Sequence, residues 1–174
     1  MKIPGLGNCE PDDDDDICYS GARTLKGLDV ECEFIVEGYV ADPMKEDFHQ
    51  AIKNFIALTQ AQLEPAEPHL FAYYQDAATD HPVPDGVPTI AQASDVWSHI
   101  DFGFEATVSR RDDGDRAVYV SFECNCDWEQ EHGLQLVFRH GNVITKLGPY
   151  DGHLSHATAH DDATLETVVY RRRH

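Results

Sequence analysis

Between Ala117 and Leu147 apolar and polar residues alternate with a period of two. Val118, Val120, Phe122, Cys124, Cys126 and Trp128 share one parity, and Tyr119, Ser121, Glu123, Asn125, Asp127 and Glu129 share the other. A strand sends successive side chains to opposite faces, so Val118 to Trp128 reads as one strand with an apolar face and an acidic face. Phe102, Phe104, Ala106 and Val108 alternate in the same way with Gly103, Glu105, Thr107 and Ser109, and Leu134, Leu136 and Phe138 continue the theme. Asp113-Gly114 is a strong turn signal, and His140-Gly141-Asn142 turns the chain into Val143 to Leu147. A four-stranded antiparallel meander over residues 102–147 follows. Upstream, Leu28, Val30, Cys32, Phe34 and Val36 oppose Asp29, Glu31, Glu33 and Glu37, which predicts a half-exposed strand with an acidic outer face. Leu165 to Tyr170 has the composition of a last strand.

Elsewhere the period changes. Asp42-Pro43 reads as a helix start, and Phe48, Ile52, Phe55, Ile56, Thr59 and Leu63 keep helical spacing after it. Leu70, Tyr73, Tyr74 and Ala77 fall at i, i+3, i+4 and i+7 of a second helix, which starts near Pro65 or Pro68. Three prolines and a glycine make residues 80–88 a loop. A short helix over Ile90 to His99 follows, with Trp97 turned inward. The fold class is therefore α+β: an antiparallel β-meander sheet with two main amphipathic helices packed on one face. A chain of 174 residues fits a single domain, in which residues 1–27 form an acidic N-terminal segment.

Charge narrows the function classes. Thirty-two Asp and Glu against thirteen Lys and Arg give a formal charge of −19, a field that repels phosphate backbones and argues against nucleic acid. It suits a basic protein partner, a divalent cation or simple solubility. No apolar run reaches the roughly 18–20 residues that span a bilayer, and the first residues lack a signal-peptide core. A cytoplasmic location and no membrane are the expectations. Five scattered cysteines, without a C-x-x-C, make no disulfide framework. Asp12 to Asp16 reads as a solvated loop, since five consecutive Asp lack the spaced ligands, Gly and distal Glu of an EF-hand.

Five constellations could carry chemistry. Cys124, Cys126 and His132 are zinc-ligand types, but both cysteines share the buried parity and no second pair completes the set. Cys126, His132 and Asp127 are the types of a thiol–imidazole–carboxylate set, in surroundings whose acidity raises a thiol pKa. Glu123, Asp127, Glu129 and Glu131, with Glu31, Glu33 and Glu37 on another strand, form an acidic row. Crowded carboxylates destabilise a sheet unless a cation or a basic partner relieves them, which makes the first four the candidate partner-binding residues. His153, His156 and His160, followed by Asp161 and Asp162, would share a face if helical, but Gly148, Pro149 and Gly152 favour a loop. Trp128-x-x-Glu131-His132-Gly133-Leu134 reads as a structural connection, with Gly133 at a bulge or turn. A catalytic Glu131–His132 pair is its sharper reading, without the HExxH spacing of a metalloprotease.

Cys126, Trp128, Glu131, His132, Gly133 and Leu134, then Gly148, Asp151 and Gly152, carry a resemblance. The chain resembles an uncharacterised bacterial domain-of-unknown-function family with a C-x-W-x-x-E-H-G-L motif, over residues 28–155. That resemblance implies no activity, cofactor or catalytic residue. Small acidic α+β proteins of this kind also look like immunity proteins that neutralise toxins, a likeness of class alone. The leading expectation is a non-enzymatic binding protein, with the immunity type as its finer form, engaging a basic partner through an acidic sheet face. No cofactor is expected. The alternative is a metal-binding protein or metal-dependent hydrolase, built on Glu131 and His132, or on Asp151, His153 and His156. In that case a divalent metal would be held by ligands drawn from His132, His153 and His156.

Overall fold

The computed structural model describes residues 1–12, 16–79 and 86–172. Nine strands form one mixed sheet: β1 (Lys2–Ile3), β2 (Gly7–Pro11), β3 (Ile17–Ser20), β4 (Arg23–Leu25), β5 (Val30–Glu37), β6 (Ile100–Arg110), β7 (Val118–Cys126), β8 (Glu129–Arg139) and β9 (Val143–Gly148). The order is β1-β2-β3-β5-β6-β7-β8-β9, and β4 pairs with the start of β5. Every pairing is antiparallel except β5 with β6, which is parallel, with Glu33 beside Glu105 and Glu37 beside Ser109. The helices α1 (Lys45–Ile56), α2 (Gln60–Leu63) and α3 (Glu67–Thr79) fill the connection that a parallel pair requires. A short α4 (His156–His160) follows the sheet. The α+β class and the meander of β6 to β9 stand as the alternation predicts.

The boundaries differ in instructive ways. Within the acidic N-terminal segment, residues 1–27, the described residues form four short strands and bury Ile3, Leu6, Cys9, Cys18 and Leu25. Of the Asp run, residues 13–15 lie outside the described residues, and Asp16 accepts the backbone N–H groups of Val40 at 2.8 Å and Ala41 at 3.1 Å. The first helix starts at Lys45, because Asp42 is occupied by the Met44 N–H and the Arg110 guanidinium. It stops at Ile56 rather than Leu63. Thr59 opens α2 instead, giving its N–H and hydroxyl to Gln62 Oε1. The helix expected over Ile90 to His99 is a 3-10 turn, Ala93–His99. The strand expected over Leu165 to Tyr170 is absent; that stretch gives the sheet one bond, Leu147 N–H to the Val169 carbonyl at 2.7 Å. β7 ends at Cys126 rather than Trp128, and a two-residue turn, Asp127-Trp128, leads straight into β8.

Helix packing fixes the core. Phe48, Ala51, Ile52 and Phe55 of α1 face the sheet, and Leu70, Tyr73, Tyr74 and Ala77 of α3 join them. Phe55 meets Phe34, Phe122 and Phe138 edge to face, with ring centroids 5.9, 5.3 and 5.3 Å away. One helical ring thus ties β5, β7 and β8 together, and each such pair adds stabilisation beyond its buried area. Val118, Val120, Phe122, Cys124, Cys126 and Trp128 are all buried on this side, as their shared parity predicts. Replacing Phe55 by Ala should cost about 3–5 kcal/mol in urea unfolding, whereas Ala at the exposed Phe104 should move stability by about 0.5 kcal/mol or less.

Candidate functional site

The helices cover one face of the sheet. The other presents Glu33, Ile35 and Glu37 of β5, Glu105, Thr107 and Ser109 of β6, and Tyr119, Ser121 and Glu123 of β7. Part of this face is closed by the chain that follows β9: Tyr119, Val137 and Ala117 are buried there, with Leu154 packed on them. The rest is open and acidic.

A bulge shapes the open part. Phe102 pairs with Cys124 and Ala106 with Phe122, so Gly103, Phe104 and Glu105 together oppose the single residue Glu123. Gly103 is required because a Cβ there would lie 1.7 Å from the Glu123 carbonyl oxygen. Phe104 belongs to the inward parity of its strand, yet the bulge turns it out and leaves it 74% exposed. Glu33, Glu37, Glu105 and Glu123 make no ion pair among the described residues. Tyr150 stands in their field: burial, and then the charges of Glu123, Glu105 and Glu37, raise its hydroxyl above the ordinary phenol range.

Beneath the covered part lies a buried cation. Lys146, fully buried, donates to Gln135 Oε1 and to Asp151 Oδ1, each at 2.7 Å. Gln135 in turn donates to Ser121 Oγ at 2.8 Å, and Asp151 Oδ1 also accepts the His153 N–H at 2.9 Å. Burial lowers the Lys146 pKa, and the Asp151 charge works against that shift. His156 is buried nearby, with Nε2 3.3 Å from the Val169 carbonyl and Nδ1 without a partner among the described residues. Burial, and then Lys146, lower its pKa, so it sits neutral.

The sequence-predicted site residues separate. Glu123 is on the open face. Asp127 sits in the turn with Oδ2 2.9 Å from His99 Nδ1. Glu129 is half-buried and occupied, its Oε1 accepting the N–H groups of Glu131 at 3.1 Å and His132 at 3.3 Å. Glu131 and His132 are exposed on a four-for-one bulge that ends at Gly133, whose φ of 59° is left-handed. The row therefore breaks at Asp127, because the turn there carries Glu129 and Glu131 onto β8. His153 is exposed, and His156 belongs to the buried network. Among the described residues no three His, Cys, Asp or Glu side chains converge as metal ligands. Cys124 and Cys126 are buried, and burial pushes the Cys126 thiol up to about 12, the wrong direction for a thiolate ligand or nucleophile. Phe104, Glu105, Tyr150 and Lys146 escaped the sequence reading. Gly103 inside a strand pattern was the available signal for the bulge.

Two outcomes follow from these burials. Asp151→Ala strands the Lys146 ammonium and should cost about 3–5 kcal/mol, while Lys146→Met leaves an Asp151 that water can reach and should cost clearly less, both read by urea unfolding. The second concerns pH. Burial raises all five thiols, Cys32 and Cys126 to about 12, from an ordinary 9.0. Their contribution to stability is full below pH 9.0 and is lost as pH rises through the folded values. Lys146, lowered from 10.5, works the other way, but it is one amine against five thiols. In reductant the urea midpoint should fall above pH 9.0, and Cys32→Ala with Cys126→Ala should flatten that fall, by up to about 1.4 kcal/mol per pH unit for each thiol removed.

No curated protein and no solved structure matches this chain. A family match covers residues 5–154, beginning upstream of Leu28 and taking in β2 to β9, α1 to α3 and the segment that closes over Lys146. The chain belongs to the family described as Domain of unknown function (DUF6985).

Proposed function

We propose that this protein is a binding protein whose open sheet face engages a basic protein partner. One observation carries the reading: Glu33, Glu37, Glu105 and Glu123 lie on three adjacent strands of one sheet, and none of them is in an ion pair among the described residues. Neighbouring carboxylates repel, and a sheet that keeps them together gains most from a cation brought from outside. The exposed Phe104 beside them adds apolar area and a ring face for a cationic side chain. The proposal therefore centres on Glu123 with Glu33, Glu37 and Glu105. Asp127 and Glu131 would lie at its margin, and Glu129 is spent on its own backbone. An immunity protein facing a basic toxin is the finer form of the same proposal, supported by net charge and by likeness of class.

The test is capture of partners from a lysate of the source cell on immobilised protein, at about 0.01 M and about 1 M salt, where screening lengths are about 30 Å and about 3 Å. A basic protein held at low salt and released at high salt is expected. The triple variant Glu33→Gln, Glu105→Gln, Glu123→Gln should lose it while melting like the parent. Equal capture by that variant, or no salt-sensitive protein, would overturn the proposal.

A further inference from the structure

A cleft of about 830 Å³ opens on the same face, floored by Thr107, Ser109 and Ser121 and bounded by Glu37 and Tyr150. Two arginines in its wall are already consumed. Arg110 donates to Asp42, Asp47 and the carbonyls of Met44 and Arg116, and Arg111 donates to Asp113, Glu166 and Thr158. Arg116 and Asp112, both in the β6–β7 hairpin and unpaired among the described residues, cancel in charge. The acceptors are not consumed. Glu37 has no ion-pair partner, and Thr107, Ser109 and the Tyr150 hydroxyl have no hydrogen bond among the described residues. Ser121 receives one bond from Gln135 and keeps further capacity. The floor is stiff, since Thr107 and Ser121 are paired residues of β6 and β7, and Glu37 is beside Ser109 across the parallel pair.

Such a cleft fits a ligand that carries positive charge and donates several hydrogen bonds, to the Glu37 carboxylate and to hydroxyls that can turn their lone pairs toward it. A guanidinium does both in one plane, whereas an ammonium presents a compact, strongly hydrated point charge. We infer that the cleft receives an arginine side chain of the basic partner, its guanidinium on the Glu37 carboxylate and the Thr107, Ser109 and Ser121 hydroxyls, with Tyr150 along its flank. This inference rests on the reading of the open face as a surface for a basic partner, and it names the residue type that reading leaves open. Glu37 is exposed at the cleft's rim, and partial desolvation there raises its carboxyl from the ordinary value.

The experiment is calorimetric titration with octa-arginine and octa-lysine at one ionic strength. Octa-arginine should bind about tenfold more tightly or better, the worth of a bidentate, ring-flanked contact. Glu37→Gln combined with Thr107→Val should bring the ratio near one. That pair leaves the Gln135–Lys146 bonds intact, so the fold is kept, as an unchanged melting temperature will show. Glu64→Gln, exposed between α2 and α3 on the helical side, should leave the ratio unchanged. Equal affinity for both peptides, or a ratio that survives the double variant, overturns the cleft assignment; salt-sensitive binding of both peptides would at the same time leave the acidic-face reading standing. Binding of neither peptide at low salt removes both.

Discussion

Phe55 is the contact on which the architecture turns. A helix can pack on a sheet in many orientations, and an aromatic ring set edge-on against three others selects one. Its neighbours Phe34, Phe122 and Phe138 belong to β5, β7 and β8, and local sequence does not bring β5 to the β7–β8 hairpin. Once that ring is seated, the parallel pairing of β5 with β6 has its covering helix, and the two faces of the sheet acquire different fates. One is sealed by α1 and α3. The other has to be made of side chains that tolerate water or find partners in the chain itself.

The second face solves that demand in two ways. Where residues 149–158 cross it, Lys146 is buried and satisfied by Gln135 and Asp151. A pair of this kind contributes little net stability, because desolvation offsets its Coulomb attraction, but losing Asp151 exposes the cost of the buried ammonium. It fixes the position of the crossing segment, and with it Tyr150, whose N–H is bonded to the His132 carbonyl. Where nothing crosses, the face carries unpaired carboxylates. The contrast is internal: the same sheet neutralises its charges in one half and leaves them open in the other, and the open half is where an outside cation has most to gain.

Much of this was written in the alternation. Six residues from Val118 to Trp128 share a parity and all are buried, and the β6–β7 and β8–β9 hairpins follow their glycine and asparagine turn signals. What escaped was non-local or rule-breaking. The parallel partner of β5 lies some seventy residues downstream of it, and no local pattern encodes that pairing. The turn at Asp127-Trp128 has neither Gly nor Asn, and its Trp keeps the buried parity, so the strand reads as unbroken in sequence. The N-terminal strands are only two to five residues long and interrupted by glycine, too short for a period to register. Lys146 lies in an apolar run, and its burial depends on Gln135 and Asp151 elsewhere in the chain. Of the candidate site, Glu123 with Glu33 and Glu37 was legible as an acidic face. Phe104 was misplaced by one bulge, and Tyr150 gave no periodic signal.

That bulge has a consequence for how such a surface can diversify. Phe102 and Ala106 keep their register with Cys124 and Phe122, Glu105 is held beside Glu33 of β5, and Gly103 is held by the Glu123 carbonyl, so the slack lies at Phe104. That position can exchange chemistry, and the excursion can lengthen there, without sliding a single core residue to the wrong face. A scaffold with such a slack link can retune what it recognises while its interior stays fixed.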